Sequence, residues 1–311
     1  MNNTNIKDFA GKKKLWLIIS LALFVVIAVF AVVRGVEVAI EFKGGTIISY
    51  EYNDDSDLTT IQSDIEDYLK TPVTIQAGEN LSGDTKSVSI SFSSDEGLSA
   101  ERQSGLTALI NEKFEKGDFK VLDSNDVNPS SGREFFIKCL IAAIVAAVLI
   151  IVYIGIRFKQ ISGWSAGVCA VIALLHDLII SFGVFVVLGF EINSNFIAVI
   201  LTILGYSVND TIVIYDRIRE NRQLMPKAGV AELVNTSCTQ SLRRSVRTSV
   251  TTVSTMLIVS IVAYIFGVTS ILSFSIPITI GMIAGTYSSL CIASSIWVWW
   301  HERTENKRKK K

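Results

Sequence analysis

Residues 164–190 read WSAGVCAVIALLHDLIISFGVFVVLGF, with His176 and Asp177 the one ionisable pair in an otherwise apolar run. A hydrocarbon core of about 30 Å needs roughly 20 such residues in a helix, so this run crosses a membrane. Working outward, five more runs of that kind occupy 15–33, 135–156, 196–215, 248–268 and 274–300. The composition agrees: 50% of the 311 residues are hydrophobic, 19% are charged and the mean hydropathy is +0.44. The fold class expected is therefore a polytopic α-helical membrane protein with six spans. The first run is longer than the usual signal core of about 7–15 residues and reads as an uncleaved anchor.

Basic residues set the expected orientation. Four Lys precede the first span, two Lys/Arg lie in 157–163, seven in 216–247 and six beyond Trp300, while 191–195 and 269–273 have none. The positive-inside rule then puts both termini in the cytoplasm of a multi-pass protein of the cell membrane. Trp16, Trp164, Trp297, Trp299 and Trp300 fall at the same ends, where amphipathic rings favour the headgroup zone. The basic tail is thus a topology signal that favours anionic membrane lipids over nucleic acid. The chain divides into an N-terminus and first span (1–34), an external domain (35–133), five spans (134–303) with a cytoplasmic loop at 216–247, and a basic tail (304–311). That loop is expected to form a helix capping the bundle.

The external segment carries 20 acidic and nine basic residues between Arg34 and Glu134 and none of the four cysteines, so no disulfide staples it. Its pattern reads as a strand (36–52, with a break at Gly44-Gly45), a helix (57–70), strands at 73–76 and 87–92, a helix (99–115) and a strand (119–122). That β-α-β-β-α-β order predicts an α+β domain of ferredoxin-like type.

Two histidines and four cysteines in no zinc or iron-sulfur spacing argue against a metal centre. No hydrolase set is evident, and Gly44 and Gly45 do not fit a phosphate-binding loop, so the chain is read as no enzyme and as needing no cofactor. An ionisable group inside a membrane costs several kcal/mol and is a functional candidate by default. His176 and Asp177 lie mid-way along the third span, and Asn209 and Asp210 in the fourth. Tyr206, Asn209 or Asp210, Val213 and Arg217 form one helical stripe, and Arg244, Thr248, Thr251 or Thr252, and Thr255 another. If the stripes face one another, Asp210 pairs with Arg244, and protonation releases the pair. The alternative is that both aspartates simply hydrogen-bond across helices.

GYSVNDTIVIYDRIREN (205–221) resembles the signature of the SecD/SecF family of bacterial protein-export membrane proteins, on its SecF side. EFKGGT (41–46) resembles the motif opening that family's external domain, with Glu41 where Asp is usual. LLHD (174–177) matches the His-Asp pair of the third span, and RRSVRTSVTT (243–252) the opening of the fifth. Arg247 stands where Asn is common, and Ser245 replaces a usual Thr.

The resemblance places the chain in the resistance-nodulation-division (RND) superfamily. It implies use of the proton-motive force, a SecD-like subunit as the other half, and cooperation with the Sec protein-conducting channel on unfolded exported polypeptide. It maps the proton relay onto Asp210 and Arg244, with Asn209, Asp177 and His176 beside them. Glu41, Gly44, Gly45, Gly205, Tyr206, Asp216 and Arg217 are its motif positions, Gly44 and Gly45 serving equally well as a simple turn. Arg247 is an alternative partner for Asp210, with Arg244 preferred. A stand-alone RND-type exporter of small or lipidic substrates and a passive translocon scaffold are the competing functions.

Overall fold

The computed structural model describes residues 6–52, 58–79, 86–93, 99–114, 118–127, 129–266 and 268–309. Six helical rods are long and apolar enough to cross a membrane. They are α1 (Lys13–Arg34), α5 (Pro129–Arg157), α6 (Gly163–Leu188), α7 (Ser194–Leu224), α8 (Val230–Ile265), and a last rod formed by α9 (Thr269–Tyr287), a π-helical turn (Ser288–Ala293) and α10 (Ser294–Lys309). Helix α6 is central, touching α1, α5, α7 and α9. Its small residues explain the closeness. A Cβ on Gly163 would lie 2.5 Å from the Gly155 carbonyl oxygen, and one on Gly167 would lie 3.0 Å from that of Ile151. Without a hydrophobic drive between helices in lipid, such close approach is what holds membrane helices together.

The hydrophilic insert contains a short helix α2 (Ile40–Lys43), strand β1 (Gly45–Tyr52), α3 (Leu58–Leu69), β2 (Val73–Glu79), β3 (Lys86–Phe92), α4 (Ala100–Lys113) and β4 (Lys120–Val127). Its four strands form an antiparallel sheet ordered β2-β3-β1-β4, with Ile48 opposite Ile90 and Ile90 opposite Ile75. Alternate residues Ile48, Tyr50, Val88 and Ile90 point under Ile61, Ile65, Leu106 and Ile110, all of them fully buried or nearly so. This is the period-two strand face closed by two amphipathic helices. The expected helix ends at Asp57 and Glu115 lie outside the described residues.

The strand expected from Val36 begins only at Gly45. Val38 instead makes an isolated parallel bridge to Ile192, and 40–43 coil into one helical turn. Val38, Ile40 and Phe42 alternate like a strand, yet the last two are buried for a different reason. Phe42 enters a cluster with Phe185, Ile192 and Phe196 at the head of the bundle and stacks on Phe135. Gly44 and Gly45, at φ +83° and +147°, then turn the chain into the sheet, and a Cβ on Gly45 would meet the Phe92 carbonyl oxygen at 2.3 Å.

The expected capping helix within 216–247 is also corrected. Helix α7 runs on to Leu224, 225–229 turn, and α8 continues unbroken from Val230, so this segment is the prolongation of two spans. Its polar residues pair laterally, Asn221 donating to Ser237 at 2.8 Å, which lets the helices persist past the apolar run.

Candidate functional site

Asp210 is 7% exposed and lies where α7 meets α8. Its Oδ1 accepts a hydrogen bond from Ser245 Oγ at 2.8 Å, and its Oδ2 has no hydrogen-bond partner among the described residues. The expected ion pair with Arg244 is not formed. Arg244 and Arg247 are both exposed, although Arg244 is near enough for its charge to act on the carboxylate. The stripe expected to face α7 points outward. Thr248, Thr251 and Thr255 are exposed, their hydroxyls returned to carbonyls of their own helix at 3.0–3.1 Å. A threonine satisfied in this way has no need of a neighbouring helix.

The inner face of α8 is instead a serine stripe at spacing four: Ser237, Ser241, Ser245 and Ser249, all buried. This repeat is the readable signal that the sequence argument missed. Small hydroxylated residues let two helices approach and still offer a polar contact. Ser249 is hydrogen-bonded to Thr286 of α9 and receives the Tyr206 hydroxyl at 3.2 Å. Ser245, a mild substitution by sequence, is the residue that touches Asp210.

Asp177 is fully buried one helix away and fully engaged. Its Oδ2 accepts from Ser207 of α7 at 2.6 Å and Ser288 of the π-helical turn at 2.7 Å, and its Oδ1 lies 3.0 Å from His176 Nδ1. The His176 ring faces the other way, 5.4 Å from Phe24 of α1 and 5.8 Å from Tyr287. From Asp177 the contacts pass to α7, where Ser207 accepts Thr211 Oγ1 on its carbonyl at 3.2 Å and Thr211 meets Ser289 at 2.8 Å, and among the described residues they do not continue to Asp210.

The rest of the 205–221 signature divides between two places. Gly205 and Asn209 lie on an exposed face of α7, away from the carboxylates. Asp216 pairs with Arg219 at 2.7 Å and Arg157 at 3.5 Å, while Arg217 donates to Gln240 of α8 at 2.7 Å. These charges tie helix ends together.

Glu41 holds the opposite end. Its carboxylate accepts from the Ser194 amide at 2.9 Å and from the Ser194 hydroxyl, adding a negative charge beside the Asn193 N-cap at the start of the helix that carries Asp210. Two backbone bonds reinforce the joint, Ala39 N–H to Ile192 O at 3.0 Å and Ile192 N–H to Glu37 O at 2.8 Å. Neighbouring Glu191 is half-buried, and burial pushes its carboxyl above the ordinary range. Glu41→Ala leaves the Asn193 N-cap in place and is expected to weaken this joint by about 1 kcal/mol, the worth of a carboxylate at a helix N-terminus. Amide hydrogen exchange should show faster exchange at Ser194; an unchanged rate would mean that the carboxylate contributes nothing.

Among the described residues, six helices long and apolar enough to cross a membrane form a bundle with two buried carboxylates, Asp177 and Asp210, among hydroxyls, joined at one end to an antiparallel α+β insert. The family described as "Protein export membrane protein SecD/SecF, C-terminal" matches residues 107–303. The chain is 33% identical to the protein translocase subunit SecF of Petrotoga mobilis over 97% of this chain and 98% of that one. It is 33% identical to the SecDF of Bacillus subtilis over 95% of this chain but 38% of that protein. The crystal structure of SecDF from Thermus thermophilus superposes with a TM-score of 0.78 at 30% identity, covering 97% of this chain and 40% of that one. The chain belongs to the SecD/SecF family of protein-export membrane proteins.

Proposed function

We propose that the chain is the SecF-type half of an accessory complex of the Sec translocase, one that spends the proton-motive force to draw unfolded polypeptide across the cell membrane. The observation carrying this reading is the half-satisfied carboxylate of Asp210. A charge buried in a span is expensive, and an oxygen left without a partner is free to take up a proton. Proton uptake would alter the contact with Ser245 and the pull of Arg244, biasing the packing of α7 against α8.

Simple hydrogen bonding across helices fits Asp177 better than Asp210, because Asp177 has a partner on each oxygen. With both termini in the cytoplasm, the insert becomes an external domain, and its element and strand order support the ferredoxin-like class. Its outer strand β4 exposes Val121 and Leu122, an edge suited to gripping an extended chain by strand addition. Asn209 is exposed on a helix apolar enough to cross a membrane, a costly placement against lipid, which supports cover by a SecD-like half. Relatives in which both halves form one chain support the same partner.

Release of an exported protein held in membrane vesicles tests the function. It should require a proton gradient, this chain and its SecD-like partner together. Release unaffected by a protonophore would favour the passive scaffold, and transport by this chain alone would favour a stand-alone exporter.

A further inference from the structure

We propose that a slot between α1 and α10 binds one anionic phospholipid, with an acyl chain inside and the phosphate at Lys14 and Arg303. The slot is a cavity of about 370 Å³ walled by Trp16, Leu17, Ile292, Ile296 and Trp299, with Lys13 and Lys14 at its mouth. A second hollow of about 300 Å³ shares Trp299 and is lined by Trp300, Arg303 and Thr304. The walls are apolar and the rim is basic. Lys13 is already engaged with Glu302 at 2.8 Å, whereas Lys14 is exposed and has no ion pair among the described residues. Arg303 lies with its guanidinium 5.1 Å from the Trp299 ring centre, which steadies a cation at the opening.

Among the described side chains, Lys13, Lys14 and Arg303 outnumber Glu302 at the rim, and the tryptophans put it at headgroup level. An apolar-walled cavity of about 370 Å³ suits a hydrocarbon chain. An anion with an apolar tail satisfies both parts, and the bilayer itself supplies it.

The full chain, purified and stripped of lipid in detergent, is to be offered equal amounts of phosphatidylglycerol and phosphatidylcholine with identical acyl chains, and retained lipid counted by native mass spectrometry. Preferential retention of phosphatidylglycerol is expected. Lys14→Gln and Arg303→Gln should each weaken it about five-fold, the effect of one basic residue near an anionic surface. Both side chains are exposed, so these variants should fold. Leu17→Trp, which fills the slot, should remove the retained lipid. Equal retention of both lipids, or phosphatidylglycerol retention unchanged in the double charge variant, overturns the site.

Discussion

Asp210→Asn is expected to abolish gradient-dependent export while leaving the protein folded and assembled. The substitution keeps the shape, and the new amide oxygen accepts from Ser245 Oγ as the carboxylate Oδ1 does at 2.8 Å. A retained neutral hydrogen bond keeps the stability change within about 1 kcal/mol. What is lost is the ability to gain and release a proton. Export should fall to the level seen when the gradient is collapsed, with unaltered yield and co-purification of the SecD-like partner. Wild-type export from this variant would remove the relay and leave a structural role. Arg244→Ala separates the partners further: activity should fall if its charge governs the carboxylate, and full activity would assign control to Ser245 alone.

Asp177→Ala is expected to act on the fold itself. It removes the acceptor of Ser207 and Ser288 and the partner of His176, at a site with 0% exposure. Each buried polar group left unpaired costs about 1–3 kcal/mol, lessened in membranes because the unfolded chain also finds partners. A loss of about 2–5 kcal/mol, on the order of the loss on breaking a buried pair, is the expected outcome by denaturant titration in micelles. Asp177→Asn, which retains the acceptor, should recover most of that stability and keep export. An Asn variant that folds normally but exports nothing would transfer the proton-carrying role to this position as well.

How much was legible follows from which signals are local. Span number rests on apolar length, a property of each segment alone, and each of the six rods overlaps one of the runs at 15–33, 135–156, 164–190, 196–215, 248–268 and 274–300, with α7 and α8 running well beyond theirs on the 216–247 side. Alternation in the insert likewise located β1 and β3. Helix rotation was not legible. Arg244 and Ser245 are adjacent, and which of them faces Asp210 depends on how closely α7 and α8 approach. The serines at 237, 241, 245 and 249 permit that approach, whereas an arginine would block it. The helical turn at 40–43 eluded the pattern because Phe42 is buried by α5, α6 and α7, which are remote in sequence. The π-helical turn that aims Ser288 at Asp177 and Ser289 at Thr211 has no signature in an apolar run.

The joint at Glu41 has a mechanical result. The insert leaves the bundle through α1, re-enters through α5, and is fastened a third time at Ser194. Three feet hold the insert more closely to the bundle than its two chain connections alone. The third foot is the head of α7, roughly 24 Å along the axis from Asp210 at 1.5 Å per residue. On the proposed function, a shift near the carboxyl would be carried along this helix to the insert's foot at Ser194.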